Sequence, residues 1–423
     1  MKTEALRLGA LALVAALAYP IAAEPPLPTA KPEEVGMSSQ GLERLSEVLQ
    51  SYIDDDRLAG SVALVTRRGK LVYHEAFGNR DREASAAMGR DDIFRIASQT
   101  KALVSLAILM LQEDGELLIG QPLSDFLPAF ADHKVAIAVG DDYGVVPANR
   151  PITLRDLLTH TSGFGYGNGP AAALWHQAGI QGWYFADRKE PVVETINRLA
   201  SLPADAQPGE AFVYGYSTDI LGAVVEVVSG QTLAEFLHAR VLGPLGMKDS
   251  HFYLPKDKKD RLTTVYSASA DGLQRAPDPG HMVGQGAYLE GPRTSFSGGA
   301  GLLSTAGDYG RFLQMMLNGG SLDGQRLISP ATVALMTTNH VGEKFGWNRG
   351  SGFGLGFSVV VDIGARGVPG SVGEFGWGGA YHSSYWVDPA EELVVVYLTQ
   401  IIPAGAVDDH GKLRALVYAA IED

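Results

Sequence analysis

The stretch Phe94 to Gln112, FRIASQTKALVSLAILMLQ, constrains this chain more than any other. From Ala102 to Leu111 only Ser105 interrupts an apolar run. The run is hydrophobic all round and longer than a typical strand, so it predicts a helix buried in the middle of a domain. Asp114-Gly115 supplies a stop just beyond it. A helix with no wet face needs other elements on every side, and 423 residues, 46% of them apolar, are enough for one large or two ordinary domains around it.

The entrance to this helix carries chemistry. Residues three apart on a helix share a face, so Ser98 and Lys101 project the same way, about one turn apart. A cation in the first turn meets the positive end of the peptide dipoles, and partial burial disfavours the charged form further. An amine so placed can take a proton from a neighbouring hydroxyl, here that of Ser98. The plain structural reading is an N-cap serine and a lysine that snorkels to solvent.

Composition removes several competing chemistries. The net charge is -14 with no block of Lys and Arg, which argues against nucleic acid or an anionic membrane as partner. Zero Cys excludes disulfides, thiol catalysis and thiolate metal sites together. The ten His residues are scattered and form no H-E-x-x-H, so neither a metal nor another cofactor is expected. No G-x-S-x-G pentapeptide occurs, which disfavours an α/β-hydrolase triad.

The N-terminus reads as an export signal. Lys2 and Arg7 precede an apolar stretch, Leu8 to Ala18, and small residues run up to Ala23. This is too short for a comfortable membrane span, so residues 1–23 are expected to be a cleaved signal peptide. The mature protein would then be periplasmic or secreted, with no stable membrane span.

Along the mature chain, Leu42, Leu45, Val48, Leu49 and Tyr52 mark an amphipathic helix. SVALVTRRGKLVYHEAFG follows as two β-rich runs around Arg68-Gly69, a hairpin signal. Beyond Leu117 come short helical pieces, including Ile152 to His160, and a Gly- and aromatic-rich stretch, Ser162 to Phe185, that reads as a long functional loop. Helices are expected at Thr218–Val228 and Leu233–Val241, loops over residues 254–296, and a helix ending at Gly319. The tail returns to strands, FGLGFSVVVD, FGWGGAYHSSYWVDP and ELVVVYLTQ, closed by a helix at Gly411–Ile421. Strands at both ends with helices between predict an α+β fold, with one antiparallel sheet built by both termini and flanked by helices. The expected division is a sheet domain, residues 24–115 and 297–423, and a mostly helical inserted region, residues 116–296, with the active site between them.

Four segments in order resemble the serine β-lactamase and penicillin-binding-protein superfamily, above all class C β-lactamase-like hydrolases and family VIII carboxylesterases. They are Phe-Arg-Ile-Ala-Ser-x-x-Lys, the Leu-Leu-x-His-x-Ser-Gly at Leu157 to Gly163, the Pro-Leu-Gly-Met at Pro244 to Met247, and Trp377-Gly378-Gly379. The resemblance covers most of the mature chain. It implies Ser98 as nucleophile, Lys101 as its partner and a tyrosine as third member. Tyr216-Ser217 matches the family's dipeptide, but Tyr214 has Asp219 and Gly222 at the esterase branch's offsets, so Tyr214 is preferred and Tyr216 is expected to be a pocket or packing residue. The resemblance further implies an oxyanion hole from the amides of Ser98 and Ala380. Where most β-lactamases have Lys-Thr-Gly, this chain has Trp377, and a neutral indole cannot hold a carboxylate as a lysine does. Gly378 and Gly379 keep the strand open to a substrate carbonyl. Trp377, Gly378, Gly379, Tyr216, His382 and Phe164 are the expected substrate-binding residues. His160 is read as a hydrogen-bonding histidine at a helix end, and Asp219 as support for the helix after Tyr214.

The expected activity is that of a serine hydrolase working through an acyl-enzyme, a carboxylesterase on small or moderately hydrophobic esters. A β-lactamase or D-amino-acid peptidase acting on an amide, and a catalytically silent binding homologue, are the alternatives.

Overall fold

Neighbouring residues of a strand face opposite sides of a sheet, so a strand apolar at every position needs cover on both faces. The computed structural model describes residues 27–140 and 142–423. Its main sheet has strands β1 (Gly60–Arg67), β2 (Lys70–Asp81), β3 (Ala86–Ala87), β4 (Ser351–Phe353), β5 (Ser358–Val360), β6 (Phe375–Gly379), β7 (Ser383–Asp388) and β8 (Leu393–Thr399). They lie in the order β4-β5-β6-β7-β8-β1-β2-β3, antiparallel throughout. The two termini meet where β1 pairs with β8, from Ser61 opposite Thr399 to Arg67 opposite Leu393. Arg68 and Gly69, both at positive φ (50° and 71°), form the two-residue turn that the hairpin signal predicts.

Both faces are covered. Val62 and Leu64 of β1 join an inner core with Val394 and Val396 of β8. Ala63 and Val65 join an outer core with Val395 and Tyr397. On the outer face lie α1 (Ser39–Asp54), which contributes Leu42, Leu45 and Leu49, and a C-terminal helix, Asp409–Ala419, which contributes Leu413 and Val417. Inside lies α2 (Thr100–Glu113), buried at every position from Thr100 to Leu111. Beside it runs α3 (Ser217–Ser229), while α4 (Ala306–Leu317) packs on β8 and β1; the C-terminal helix is α5.

The region between the two sets of strands is less purely helical than its sequence suggests. It holds two hairpins, Lys134–Val139 with Asp142–Pro147 and Tyr266–Ser269 with Gly272–Arg275. The first buries only Val135 and Ala136 and leaves Ile137 and Val139 exposed, so its periodicity is weak. The long loop also contains a short helix, Ala172–Gln177. Among the described residues no single helix is long and apolar enough to cross a membrane. The expected signal peptide, residues 1–23, lies outside the described residues.

Candidate active site

The turn that feeds α2 is strained and held from several sides. Ala97 takes φ +43°, a conformation that costs a non-glycine residue on the order of 1–2 kcal/mol. Ser98 follows in a 3-10 turn, Ala97–Gln99, rather than as the N-cap of α2, a position that Gln99 occupies. Ile96 N donates to Leu302 O at 3.1 Å, Leu302 N to Thr100 Oγ1 at 3.0 Å, and Tyr309 OH to Gln99 O at 2.9 Å. The Gln99 amide reaches across to Ser383 Oγ on β7 at 3.1 Å.

Lys101 does not snorkel. It is 2% exposed, and its Nζ donates to Gly299 O at 2.6 Å, to Tyr166 OH at 3.0 Å and, at a long 3.5 Å, to Ser98 Oγ. The same nitrogen lies 4.7 Å from the centre of the Tyr214 ring. Among the described residues no carboxylate approaches it within ion-pair distance. Asp219 acts one step away. Its Oδ1 accepts from Ser297 Oγ at 2.6 Å and from Gly299 N at 3.0 Å, which fixes the backbone whose carbonyl binds Lys101. A Cβ on Gly299 would sit 2.3 Å from Asp219 Oδ2, so only glycine permits this approach. Burial pushes the Asp219 carboxyl up, and the nearby Lys101 charge and these hydrogen bonds pull it back. Asp219 therefore braces the Ser297–Gly299 segment rather than its own helix.

The two candidate tyrosines part company. Tyr214 lines the cleft, and its OH accepts from Trp377 Nε1 at 3.0 Å. Tyr216 is fully buried, stacked on Trp175 at 5.9 Å, with no partner for its hydroxyl. Phe164 is equally buried, against Phe130 and Trp175. Neither Tyr216 nor Phe164 is a pocket wall as expected; both support one from behind. The residue of the aromatic loop that reaches Lys101 is Tyr166, to which the sequence reading assigned no role. Its signal was the run of alternating glycines around it. A Cβ on Gly215 would lie 2.3 Å from Phe164 O, so the Tyr214–Tyr216 segment can press against the loop only at a glycine.

The opposite wall is the end of β6. β5 pairs with β6 only at Phe375 and Gly376, so the strand edge is open from Trp377 onward. A Cβ on Gly379 would stand 2.5 Å from Ile96 O, which shows how closely this strand end approaches the Ser98 turn. Between them lies a cleft of about 640 Å³ lined by Ser98, Trp377, Gly378, Gly379, Ala380 and His382, with Tyr166, Tyr214 and Trp347 facing them.

Histidines stand on both sides. His160 is buried, packs 4.6 Å from the Tyr214 ring and leaves Nδ1 without a partner. Burial, and then the Lys101 charge, push it well below the usual histidine range, so it is a neutral packing piece rather than the hydrogen-bonding residue expected. His382 is bonded through Nε2 to Asp409 Oδ1 at 2.7 Å and stacks on His410 at 4.1 Å and 15°. His382, Asp409 and His410 bring their ligand atoms within 4.8 Å of one another. Near-parallel rings, however, hold their in-plane lone pairs in parallel planes, so the two imidazoles do not converge on one ion.

A hydroxyl, a buried amine, two phenols and an open strand edge in one cleft can together perform acyl transfer. Comparison with known proteins points the same way. The family described as Beta-lactamase matches residues 45–419. Esterase EstB of Burkholderia gladioli is 35% identical over 84% of this chain and 89% of its own. Lovastatin esterase of Penicillium rubens is 29% identical over 85% of this chain and 92% of its own. The solved structure of EstCE1, "a hydrolase with promiscuous acyltransferase activity", superposes with a TM-score of 0.79 at 30% identity, covering 90% of this chain and 99% of that one.

Proposed function

The chain belongs to the Beta-lactamase family, and on that premise we propose that this serine hydrolase cleaves carboxylic esters through an acyl-enzyme on Ser98. The observation that carries the reading is the Lys101 amine, buried without a carboxylate and shared between Ser98 Oγ and Tyr166 OH beneath the Tyr214 ring. Ser98 Oγ attacks the carbonyl carbon, and its proton passes through Lys101 and Tyr214 to the departing alcohol oxygen. The amides of Ser98 and Ala380 take up the charge on the carbonyl oxygen; one such donor is typically worth about 3–4 kcal/mol in the transition state. Water, deprotonated by Tyr214, then releases the acid and restores the serine.

Small or moderately hydrophobic esters suit the site, because indoles and phenols line it. A β-lactam or peptide carboxylate would need a cation free to meet it. The arginines lining the cleft are Arg366 and Arg414, and both are bonded to Glu374 at 2.8 Å. The export signature in residues 1–23 supports a periplasmic or secreted enzyme.

Ser98→Ala is expected to abolish turnover of a chromogenic short-chain ester while the circular dichroism spectrum is unchanged, and a fluorophosphonate probe is expected to label Ser98. Near wild-type turnover, or faster hydrolysis of a chromogenic cephalosporin than of the ester on one preparation, would overturn the reading.

A further inference from the structure

The turn that carries Ala380 is clamped at a place the acyl-transfer scheme does not use. His382 N donates to Gly379 O at 3.1 Å and closes the turn between β6 and β7. His382 itself sits at φ +60°, where a side chain is disfavoured, so something must hold it there. Three contacts do. His382 Nε2 meets Asp409 Oδ1 at 2.7 Å, at the first residue of α5, and Asp409 is completely buried. His410 Nε2 lies 3.2 Å from His382 O. Thr399 Oγ1 donates to Tyr381 O at 2.9 Å, and Ile401 N to the same oxygen at 3.2 Å. Burial alone would raise the Asp409 carboxyl, but the His382 hydrogen bond and the neighbouring imidazoles hold it below the ordinary value, so it remains a charged acceptor. On its other side the turn meets the Ser98 segment, since Gly379 lies against Ile96 O.

We propose that His382, anchored by Asp409, is a positioning residue that sets the Ala380 amide against the carbonyl oxygen of a substrate on Ser98. The inference rests on the reading of Ser98 and Ala380 as the oxyanion donors. Its force comes from geometry: an amide on a two-strand turn can swing, and displacing a donor by about 1 Å can cost on the order of 10²-fold in rate. The clamp joins the N-terminus of α5 to the end of the sheet strand where the carbonyl would lie.

His382→Gly tests this, because glycine takes φ +60° freely, and Asp409→Leu breaks the clamp while leaving the cleft-lining imidazole in place. Turnover of the short-chain ester is expected to fall about 10- to 100-fold with KM changed less than twofold. Affinity for a boronic acid, which mimics the tetrahedral adduct on serine, should weaken by the same factor. Added imidazole should restore part of the rate, and Asp409→Leu should reproduce the loss. An unchanged kcat, or a loss with no change in boronic acid affinity, would overturn the proposal. An active Ser98→Ala would refute the acyl-enzyme reading itself, whereas a dead Ser98→Ala beside a fully active His382→Gly would refute the positioning role alone.

Discussion

The two walls of the cleft are held together by different forces. The wall from the inserted region is a pile of rings, with His160 at 4.6 Å and Tyr166 at 6.0 Å from Tyr214, and Tyr216 and Trp175 stacked behind. Polar atoms go unpaired behind both walls, His160 Nδ1 and the Tyr216 hydroxyl here, Trp386 Nε1 and Asp409 Oδ2 on the sheet side. The wall from the sheet is tied by hydrogen bonds: Trp377 to Tyr214, His382 to Asp409, and Thr399 to the turn carbonyls. Each wall includes one histidine at positive φ, 54° for His160 and 60° for His382. The same residue in the same backbone conformation is a neutral spacer beside Lys101 and a bonded clamp beside Asp409. Burial first and the Lys101 charge second keep His160 neutral, whereas Asp409 offers His382 a hydrogen-bond acceptor.

The largest test of this contrast is Tyr214→Phe, which keeps the ring in its wall but removes the oxygen that accepts from Trp377 of the other wall. Turnover of the short-chain ester should fall about 10²–10⁴-fold with the fold intact. An unchanged rate would move the phenol's role to Tyr166, already 3.0 Å from the Lys101 amine.

A smaller effect is expected beneath the aromatic loop. Burial pushes the Asp205 carboxyl up to about 6, against a partial offset from the Gly165 amide. The folded state therefore holds this proton more tightly than the unfolded state. The stability so gained is complete below the unfolded value of 3.8 and is lost as pH rises through about 6. Asp205→Asn, always neutral, should match the wild type near pH 4 and exceed it by up to about 2 kcal/mol at pH 8, read from urea melts at the two pH values. A constant difference across that range would show that the carboxyl does not titrate in the packed wall.

The smallest change belongs to Tyr216→Phe. Its hydroxyl is buried without a partner, so its removal should leave turnover within twofold and stability unchanged or higher by up to about 1 kcal/mol, measured by thermal melting. A hundredfold loss of activity would exchange the roles of the two tyrosines.

Much of the scaffold is legible because short-range periodicity reports it. The unbroken apolar run of α2 and the two-sided burial of β1 and β8 follow from composition along single elements. The offsets that favour Tyr214 also have a physical basis. Asp219 and Gly222, three apart, share one face of α3, and that face meets Ser297 to Gly299 through a carboxylate and a missing side chain. The role of Tyr166 was not legible, because alternating glycines mark a close approach without naming the partner, and its contact with Lys101 spans a separation of 65 residues. Phe164 was placed in the pocket because an aromatic residue in a glycine-rich loop looks the same from sequence whether it lines a cavity or backs one, and Tyr216 because it stands two residues from Tyr214.

The residues alone determined that a helix without a wet face must sit inside and that Ser98 and Lys101 stand about one turn apart at its entrance; the resemblance added that Trp377 stands where most β-lactamases have a lysine. Only the tertiary structure decided which tyrosine faces the cleft, which segment Asp219 braces and which histidine meets a carboxylate. Helix and strand periods fix the direction of a side chain within its own element, whereas its neighbours across the cleft depend on how distant segments pack.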